Sequence, residues 1–401
     1  MSLGGPCELE AVGLATALGA GVARNYARLI AGDLTGLAPR PGLLSHGDLL
    51  VGAFREPLPE LPDVHARFRC RNNRLALLAL NQIRHAVDSA VSRFGAERVA
   101  VVVGTSTSGI DETGAAIGRW ITQGSLPPEF SYEQFEHGGL AQYLALASGA
   151  AGPAYTVSTA CSSSAKALVS ARSLLELDLC DAVIAGGVDT LAPMTARGFS
   201  ALEAVALERT NPFSRNRRGL NLGEAAALFV MARGPGGIQL AGCGESSDHH
   251  HMSAPDPTGG GAERALRAAL EDAGAEPAEI LYLNLHGTGT PLNDAMESRA
   301  VERVLGLDVP CSSTKPLTGH TLGAAGATEI AFCWLVLEHE RRGELALPPH
   351  VFDGERDSEL AAIRLVGPGE TVTARGRRLA MSSAFGFGGN NCTVVLERRL
   401  P

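Results

Sequence analysis

Aromatic side chains are scarce in this 401-residue chain, with Phe, Trp and Tyr together making 5% of it against 48 Gly. A core poor in rings and rich in small residues suits closely packed α/β layers with many turns. No apolar run approaches the ~20 residues that a membrane helix needs; the best, Ile330 to Leu337, falls far short. No excess of basic charge is present: 34 Lys and Arg face 43 Asp and Glu, a net charge of −9, which argues against nucleic acid as the main partner. No two of the eight Cys form a C-x-x-C pair, and no Cys/His spacing fits a zinc site. Glu8 and Glu10 stand where a secretory signal would carry a basic stretch, so neither a signal peptide nor a disulfide framework is expected. These absences predict a soluble, reduced, cytoplasmic protein. What is present is a 45% hydrophobic chain long enough for a substantial core, which excludes disorder. Its length allows two or three domains, or one large duplicated unit.

Four short apolar runs read as buried strands: 98–104, 182–187, 281–286 and 393–396. Their apolarity is continuous rather than alternating, as in strands covered on both faces. Ala262 to Ala273 carries Leu266, Ala269, Leu270 and Ala273 at helical spacing, and Asn72 to Val91 reads as one long helix. Strands alternating with helices predict a layered α/β protein. Gly234-Pro235-Gly236-Gly237 is the strongest mid-chain break and divides the chain into residues 1–235 and 236–401. No short repeat is visible, so any duplication has to be structural. Three consecutive His, His249 to His251, cannot all face one ion on regular backbone, and no metal site is expected there.

Four segments can carry chemistry. In Tyr155-Thr156-Val157-Ser158-Thr159-Ala160-Cys161-Ser162-Ser163-Ser164, a short strand leads through small residues to Cys161 and then to a helical pattern. Cys161 thus falls at a helix start, where free backbone amides and the helix dipole favour a thiolate and can hold an oxyanion. Most Cys are instead small buried hydrophobes, the reading preferred for Cys7, Cys180, Cys243 and Cys333. In Asn284-Leu285-His286-Gly287-Thr288-Gly289-Thr290, His286 ends a strand and enters a Gly-rich turn. That is where α/β folds place ligands, although a His capping a turn would look the same. In Ser313-Thr314-Lys315-Pro316-Leu317-Thr318-Gly319-His320, Lys315 and His320 bracket a turn, and Glu329 lies on the Gly/Ala-rich helix that follows. A plain surface ion pair is the alternative for Lys315 and Glu329. Phe385 and Phe387 alternate with Gly in Phe385-Gly386-Phe387-Gly388-Gly389, a pattern for a hinged lid or a pocket wall. The hydrolase elbow G-x-S-x-G is missed by one position at Gly104-Thr105-Ser106-Thr107-Ser108.

Together and in this order, the four segments resemble the β-ketoacyl-acyl-carrier-protein synthases, the elongating condensing enzymes of the thiolase superfamily. Ser246 to Pro257, which contains the His run, adds a fifth matching stretch, and the resemblance runs from about Val12 to the C-terminus. It implies a five-layer α-β-α-β-α fold of two similar halves, the first carrying the nucleophile and the second both His. It implies Cys161 as acyl-accepting nucleophile and His286 and His320 as the pair that stabilises the enolate formed when malonyl loses carbon dioxide. Lys315 and Glu329 would be the supporting ion pair, and Phe387 the gating ring. The backbone amides of Phe387 and Cys161 would form the oxyanion hole. Ser253, Thr288 and Thr290 would line the tunnel for the phosphopantetheine arm of the carrier protein, with Phe385 on the substrate side. The reaction is a decarboxylative Claisen condensation that needs no metal or separate cofactor, since the enolate arises from loss of carbon dioxide.

An acidic carrier protein calls for local basic patches on an acidic enzyme, and Arg67, Arg69, Arg71 and Arg74 form one candidate, Arg215, Arg217 and Arg218 another. Solvated surface charge is the alternative for both. The family implies a homodimer, or a heterodimer with a chain-length factor in a specialised branch. Two departures point to such a branch, one that builds aryl polyenes or other polyketide-like chains. Asn390-Asn391 replaces the usual Thr-Asn after the gate, and Thr105-Ser106-Thr107-Ser108 is more polar than expected at the acyl-pocket end. Competing readings are a catalytically dead chain-length-factor paralogue, which Cys161 and both His oppose, and a non-catalytic acyl-thioester binding protein. A thiolase would need a second Cys as acid/base, and Cys392 lies in an apolar strand.

Overall fold

Ten of the strands form the two halves of the main sheet in the computed structural model, which describes residues 6–400. In the first half they are β1 (Cys7–Thr16), β2 (Val99–Gly104), β3 (Ala154–Val157), β4 (Ala182–Asp189) and β5 (Ala225–Arg233). In the second they are β6 (Ile238–Ser247), β7 (Ile280–Asn284), β8 (Cys311–Ser312), β9 (Arg378–Gly386) and β10 (Asn390–Arg398). Side by side, the first half runs β3-β2-β4-β5-β1 and the second β8-β7-β9-β10-β6. Counted within each half, both orders are third, second, fourth, fifth, first. Directions match as well: the first two neighbour pairs are parallel and the last two antiparallel in each half. The duplication is therefore structural, and the halves meet edge to edge at the Glu8–Gln239 pair between β1 and β6. The Gly234–Gly237 stretch is the tight connection from β5 to β6, with Gly237 in the left-handed region at φ 58°.

Seven helices matter for the site: α1 (Arg71–Gln82), α2 (Arg84–Phe94), α3 (Ile110–Gln123), α4 (Ser163–Glu176), α5 (Gly260–Ala273), α6 (Pro291–Leu305) and α7 (Ala325–Glu338). The pair α4 and α7 pack on each other between the halves, while α1 covers the outside of the first half and α5 and α6 the outside of the second. This gives the layering α-β-α-β-α. It also explains the unbroken apolar strands: Val99, Val101 and Val103 enter the outer core with Leu75 and Ala79, whereas Ala100 and Val102 enter the central core with Leu168. The helix expected over 72–91 is two helices. Ile83 leaves helical geometry (φ −108°, ψ 12°) and the chain restarts as α2, a break that Leu/Ala periodicity does not register.

Small residues are needed where layers cross. A Cβ on Gly326 of α7 would sit 2.7 Å from the backbone nitrogen of Ala165 on α4, and one on Gly104 would sit 2.4 Å from that of Ser164. Ser164 Oγ then accepts from Ala327 N at 2.8 Å, tying α4 to α7. Replacing Gly326 with Ala should destabilise the fold by about 1–3 kcal/mol, as overpacking in a rigid core does. Urea unfolding measures this, and an unchanged midpoint would contradict the close crossing.

Candidate active site

β3 ends at Val157, and the chain turns through Ala160, which adopts φ 53°, before α4 starts at Ser163. A left-handed non-glycine residue costs about 1–2 kcal/mol. The turn is held by Ser163 Oγ, which donates to Ala160 O at 2.6 Å and accepts from Thr159 N at 2.8 Å. Cys161, at the apex, is 5% exposed. Its position just before a helix matches the sequence reading, but its ionisation does not. Burial pushes the thiol up to about 11, against the pull of the Lys315 ammonium and of the Phe387 amide, which hydrogen-bonds to the sulfur. Desolvation of a thiolate outweighs the favourable dipole here.

From the second half, β7 delivers His286 and the turn after β8 delivers His320. His320 Nε2 lies 3.0 Å from Cys161 Sγ, and the two imidazoles meet edge to face with centroids 5.3 Å apart. Both rings are held well below the usual His range, first by burial and then by the positive charge of Lys315, so both are neutral at physiological pH. Lys315 is not on the surface: it is 1% exposed, and its ammonium bonds Glu329 at 2.5 Å and also the backbone carbonyl of His286. Burial raises the Glu329 carboxyl to about 7 against the opposing pull of Lys315. The ligating atoms of Cys161, His286 and His320 lie within 4.8 Å of one another, close enough to grip a metal ion. The Lys315 charge, which already disfavours a proton on either ring, disfavours a second cation in the same place.

Sequence reasoning missed two carboxylates that shape the His286 turn. Glu297 on α6 accepts from His286 N at 2.6 Å and Gly287 N at 2.7 Å, while Asp294 accepts from Phe213 N at 2.8 Å and Gly289 N at 3.2 Å. Burial pushes Glu297 up to about 8 and Asp294 up to about 6. Only their spacing on α6 hinted at this: Asp294 and Glu297 are three residues apart and so share a helix face.

A cavity of about 280 Å³ opens onto Cys161, His286 and His320, and its walls include Ser253, Thr288, Thr290, Phe385, Phe387 and Asn391. The structure thus gathers the predicted nucleophile, both His, the ring pair and the tunnel residues around one space. Phe387 stacks on Phe199, with centroids 5.4 Å apart, a partner the sequence gave no reason to select. Gly386 allows the Phe387 loop to approach, since a Cβ there would lie 3.3 Å from Cys161 N. Asn391, which matches the Asn of the usual gate motif and follows the departing Asn390, donates to Asp248 Oδ1 at 2.6 Å. His249, His250 and His251 lie exposed on the neighbouring loop.

The two basic patches are not brought together as expected. Arg71 turns inward to the fully buried Glu224, with bonds of 2.5 and 3.0 Å, and Arg217 is consumed by Asp357 at 2.5 Å with little exposure of its own. Neither is free to meet a carrier protein. Arg74 pairs with Glu60 at 2.7 Å and donates to the Leu58 and Pro59 carbonyls. Arg67, Arg69, Arg215 and Arg218 are exposed, the first three beside Glu133, Asp63 and Glu355.

Comparison with known proteins agrees with this architecture. The family model described as Beta-ketoacyl synthase, N-terminal domain matches residues 53–235, and that described as Beta-ketoacyl synthase, C-terminal domain matches residues 238–345. The ketoacyl synthase alpha subunit of the tetracenomycin polyketide synthase from Streptomyces glaucescens is 33% identical over 75% of this chain and 75% of its own. The 3-oxoacyl-[acyl-carrier-protein] synthase 2 of Staphylococcus aureus is 30% identical over 82% of each. Among solved structures, the ketosynthase (ApeO) in complex with its chain length factor (ApeC) from Xenorhabdus doucetiae is 44% identical, covers 98% of both chains and superposes with a TM-score of 0.93. The chain belongs to the β-ketoacyl synthase family and has its thiolase fold. It is a condensing acyltransferase, and no helix among the described residues is long and apolar enough to cross a membrane.

Two outcomes test the electrostatics. Because the Cys161 thiol is protonated at neutral pH, its inactivation by iodoacetamide should accelerate about tenfold per pH unit from 7 to 9; a plateau in that range would show a depressed thiol instead. Lys315→Met should cost about 3–5 kcal/mol in urea unfolding by leaving Glu329 buried and unpaired, and Lys315→Met with Glu329→Leu should recover much of it. Equal loss in both variants would refute the pairing.

Proposed function

We propose that this chain condenses a Cys161-bound acyl group with a malonyl group on a carrier protein, with the half spanning residues 1–235 supplying the nucleophile and the half spanning 236–401 both His. One observation carries the reading: a buried thiol 3.0 Å from a neutral imidazole, with a second neutral imidazole beside it, at the base of a cavity open to the surface. In loading, Sγ attacks the carbonyl carbon of an acyl thioester. The thiol proton passes through His320 to the departing pantetheine sulfur, and the amides of Cys161 and Phe387 hold the oxyanion. In condensation, the bond from the malonyl α-carbon to its carboxylate breaks and carbon dioxide leaves. The electron pair becomes an enolate, whose oxygen accepts N–H bonds from His286 and His320. The enolate carbon then attacks the Cys161 thioester, a carbon–carbon bond forms, and the C–S bond breaks to release Cys161 as a thiolate, which takes up a proton from solvent to restore the thiol. Neutral rings suit this step, because the enolate needs hydrogen-bond donors rather than a strong base. Lys315 and Glu329 hold the His286 turn, and Phe387 closes the cavity against Phe199. Ser253, Thr288, Thr290 and Phe385 line the path of the pantetheine arm. The exposed Arg67, Arg69, Arg215 and Arg218, with the half-buried Arg74 beside the first two, remain for the carrier protein.

We further assign the chain to a specialised branch that works beside a second ketosynthase-fold subunit, the chain-length factor, rather than to primary fatty acid synthesis. The likeness to a ketosynthase solved with such a partner supports this. So do Ile117, Trp120 and Ile121, which project exposed from α3.

Intact-mass spectrometry tests the reaction. An acyl group should appear on the wild-type chain from acyl-carrier protein and vanish as 3-oxoacyl product when malonyl-carrier protein is added. Cys161→Ala should stay unacylated, and His286→Ala should acylate but lose decarboxylation by about 10²-fold or more. Acylation of the Cys161→Ala variant would sink the nucleophile assignment.

A further inference from the structure

The polar stretch at residues 105–108 does not offer its hydroxyls to a substrate: one carboxylate takes those of Thr105, Ser106 and Thr107, and Ser108 Oγ donates to the Gln134 and Glu136 carbonyls. Asp189, the last residue of β4, is fully buried. Its Oδ1 accepts from Thr105 Oγ1 at 2.6 Å, Thr107 Oγ1 at 2.7 Å, and the backbone amides of Ser106 and Thr107, both at 2.9 Å. Its Oδ2 accepts from Ser106 Oγ at 2.6 Å and from Gly323 N at 2.5 Å. Six donors thus surround one side chain. Among the described residues no Lys, Arg or His forms an ion pair with it. Burying a carboxylate without a counter-ion is costly even when every lone pair is filled. An apolar plug would close the same turn more cheaply.

What the cage holds explains the expense. Gly323 lies three residues beyond His320 and follows Leu322, which is in the left-handed region at φ 54°. Ser106 Oγ also accepts from Gly323 N at 3.2 Å, so the end of β2 and the His320 turn are joined twice. On its other side, His320 is fixed through its backbone: its N–H donates to Asn221 O at 2.7 Å and its carbonyl accepts from Gly223 N at 2.8 Å. The same stretch abuts the nucleophile helix, since a Cβ on Gly104 would collide with Ser164 N. The cage therefore spans the two pieces whose separation sets the contact of His320 with Cys161: the start of α4 from one half and the turn after His320 from the other.

We propose that Asp189 is a positioning residue for His320, and that Thr105, Ser106 and Thr107 serve as its hydroxyl cage rather than as a polar end to the acyl pocket. Through Gly323 it keeps the strained Leu322 turn closed and the imidazole on the sulfur. The proposal rests on the role given above to His320 and deepens it.

The test uses the full-length enzyme with its carrier proteins. Asp189→Asn should lower kcat for malonyl-carrier decarboxylation about 10²-fold, the scale of a displacement near 1 Å, with KM little changed. Ser106→Ala keeps the Asp189 side chain and its direct bond to Gly323 N, and removes only the hydroxyl that bonds both of them. It should change the rate of Cys161 carbamidomethylation about fivefold in the wild type and not at all in a His320→Ala background. Should Asp189→Asn fail to fold, the Ser106→Ala cycle decides alone. An equal effect of Ser106→Ala in both backgrounds, or a loss confined to KM, would overturn the positioning role while leaving the condensation mechanism intact. If His320→Ala retains full decarboxylation, the role of His320 falls and the inference falls with it.

Discussion

A single ammonium group, placed where no water reaches it, sets the chemistry of the whole site. Lys315 is one of only two lysines in the chain, and its neighbours are Glu329 and the carbonyl of His286. Its charge reaches in three directions. It opposes a proton on His286 and on His320, and it eases ionisation of Cys161 without overcoming burial. A lysine exposed to solvent could do none of this, because water would screen it within a few ångströms. The cost of burying it is met by Glu329, itself on the central helix α7, so the electrostatics of the site depend on the closest-packed layer of the fold.

That layer is also why the composition looks as it does. The crossing of α4 and α7 brings Gly326 against Ala165 and Gly104 against Ser164, at separations where no side chain fits. Cys161 at the start of one central helix and a carboxylate on the other can then face a common point between the halves. The matching strand orders of the two halves place the equivalent edges of both there. The first half contributes a turn ending in Cys161, and the second contributes turns ending in His286 and His320. Neither half contains a complete site.

Much of this was legible before any coordinates. Continuous apolar runs located four strands, and residues at strand ends located Cys161, His286, Lys315, His320 and Phe387, because those positions carry unusual side chains in small-residue surroundings. What stayed hidden was whatever depends on distance across the sheet. The burial of Lys315, the partners of Asp294, Glu297 and Asp189, and the stacking of Phe199 on Phe387 all join residues that no local pattern connects. The inward turn of Arg71 and Arg217, one from each basic patch, was hidden for the same reason. Arg71 and Arg74 look alike in sequence, but only Arg71 faces Glu224, which lies 153 residues away. Charge read along a chain does not distinguish a surface from a buried pair.

The protonated thiol needs to be reconciled with a reaction that requires sulfur to attack. A depressed thiol would be a ready nucleophile, but it would also be a good leaving group and would leave the resting enzyme as an anion in an apolar cavity. In this site the thiol is neutral, both imidazoles are neutral, and the Lys315 ammonium is hydrogen-bonded to the buried Glu329 carboxyl. The three groups that face the cavity, Cys161, His286 and His320, are therefore uncharged until substrate arrives. In the proposed reaction charge appears only on the oxyanion of loading and on the enolate of condensation, and the Phe387 amide and the two rings are the donors proposed to meet it. Donors fixed in advance by Glu297, Asp189 and the ion pair need no reorganisation at that moment, which is the condition under which hydrogen bonds lower a barrier rather than merely bind.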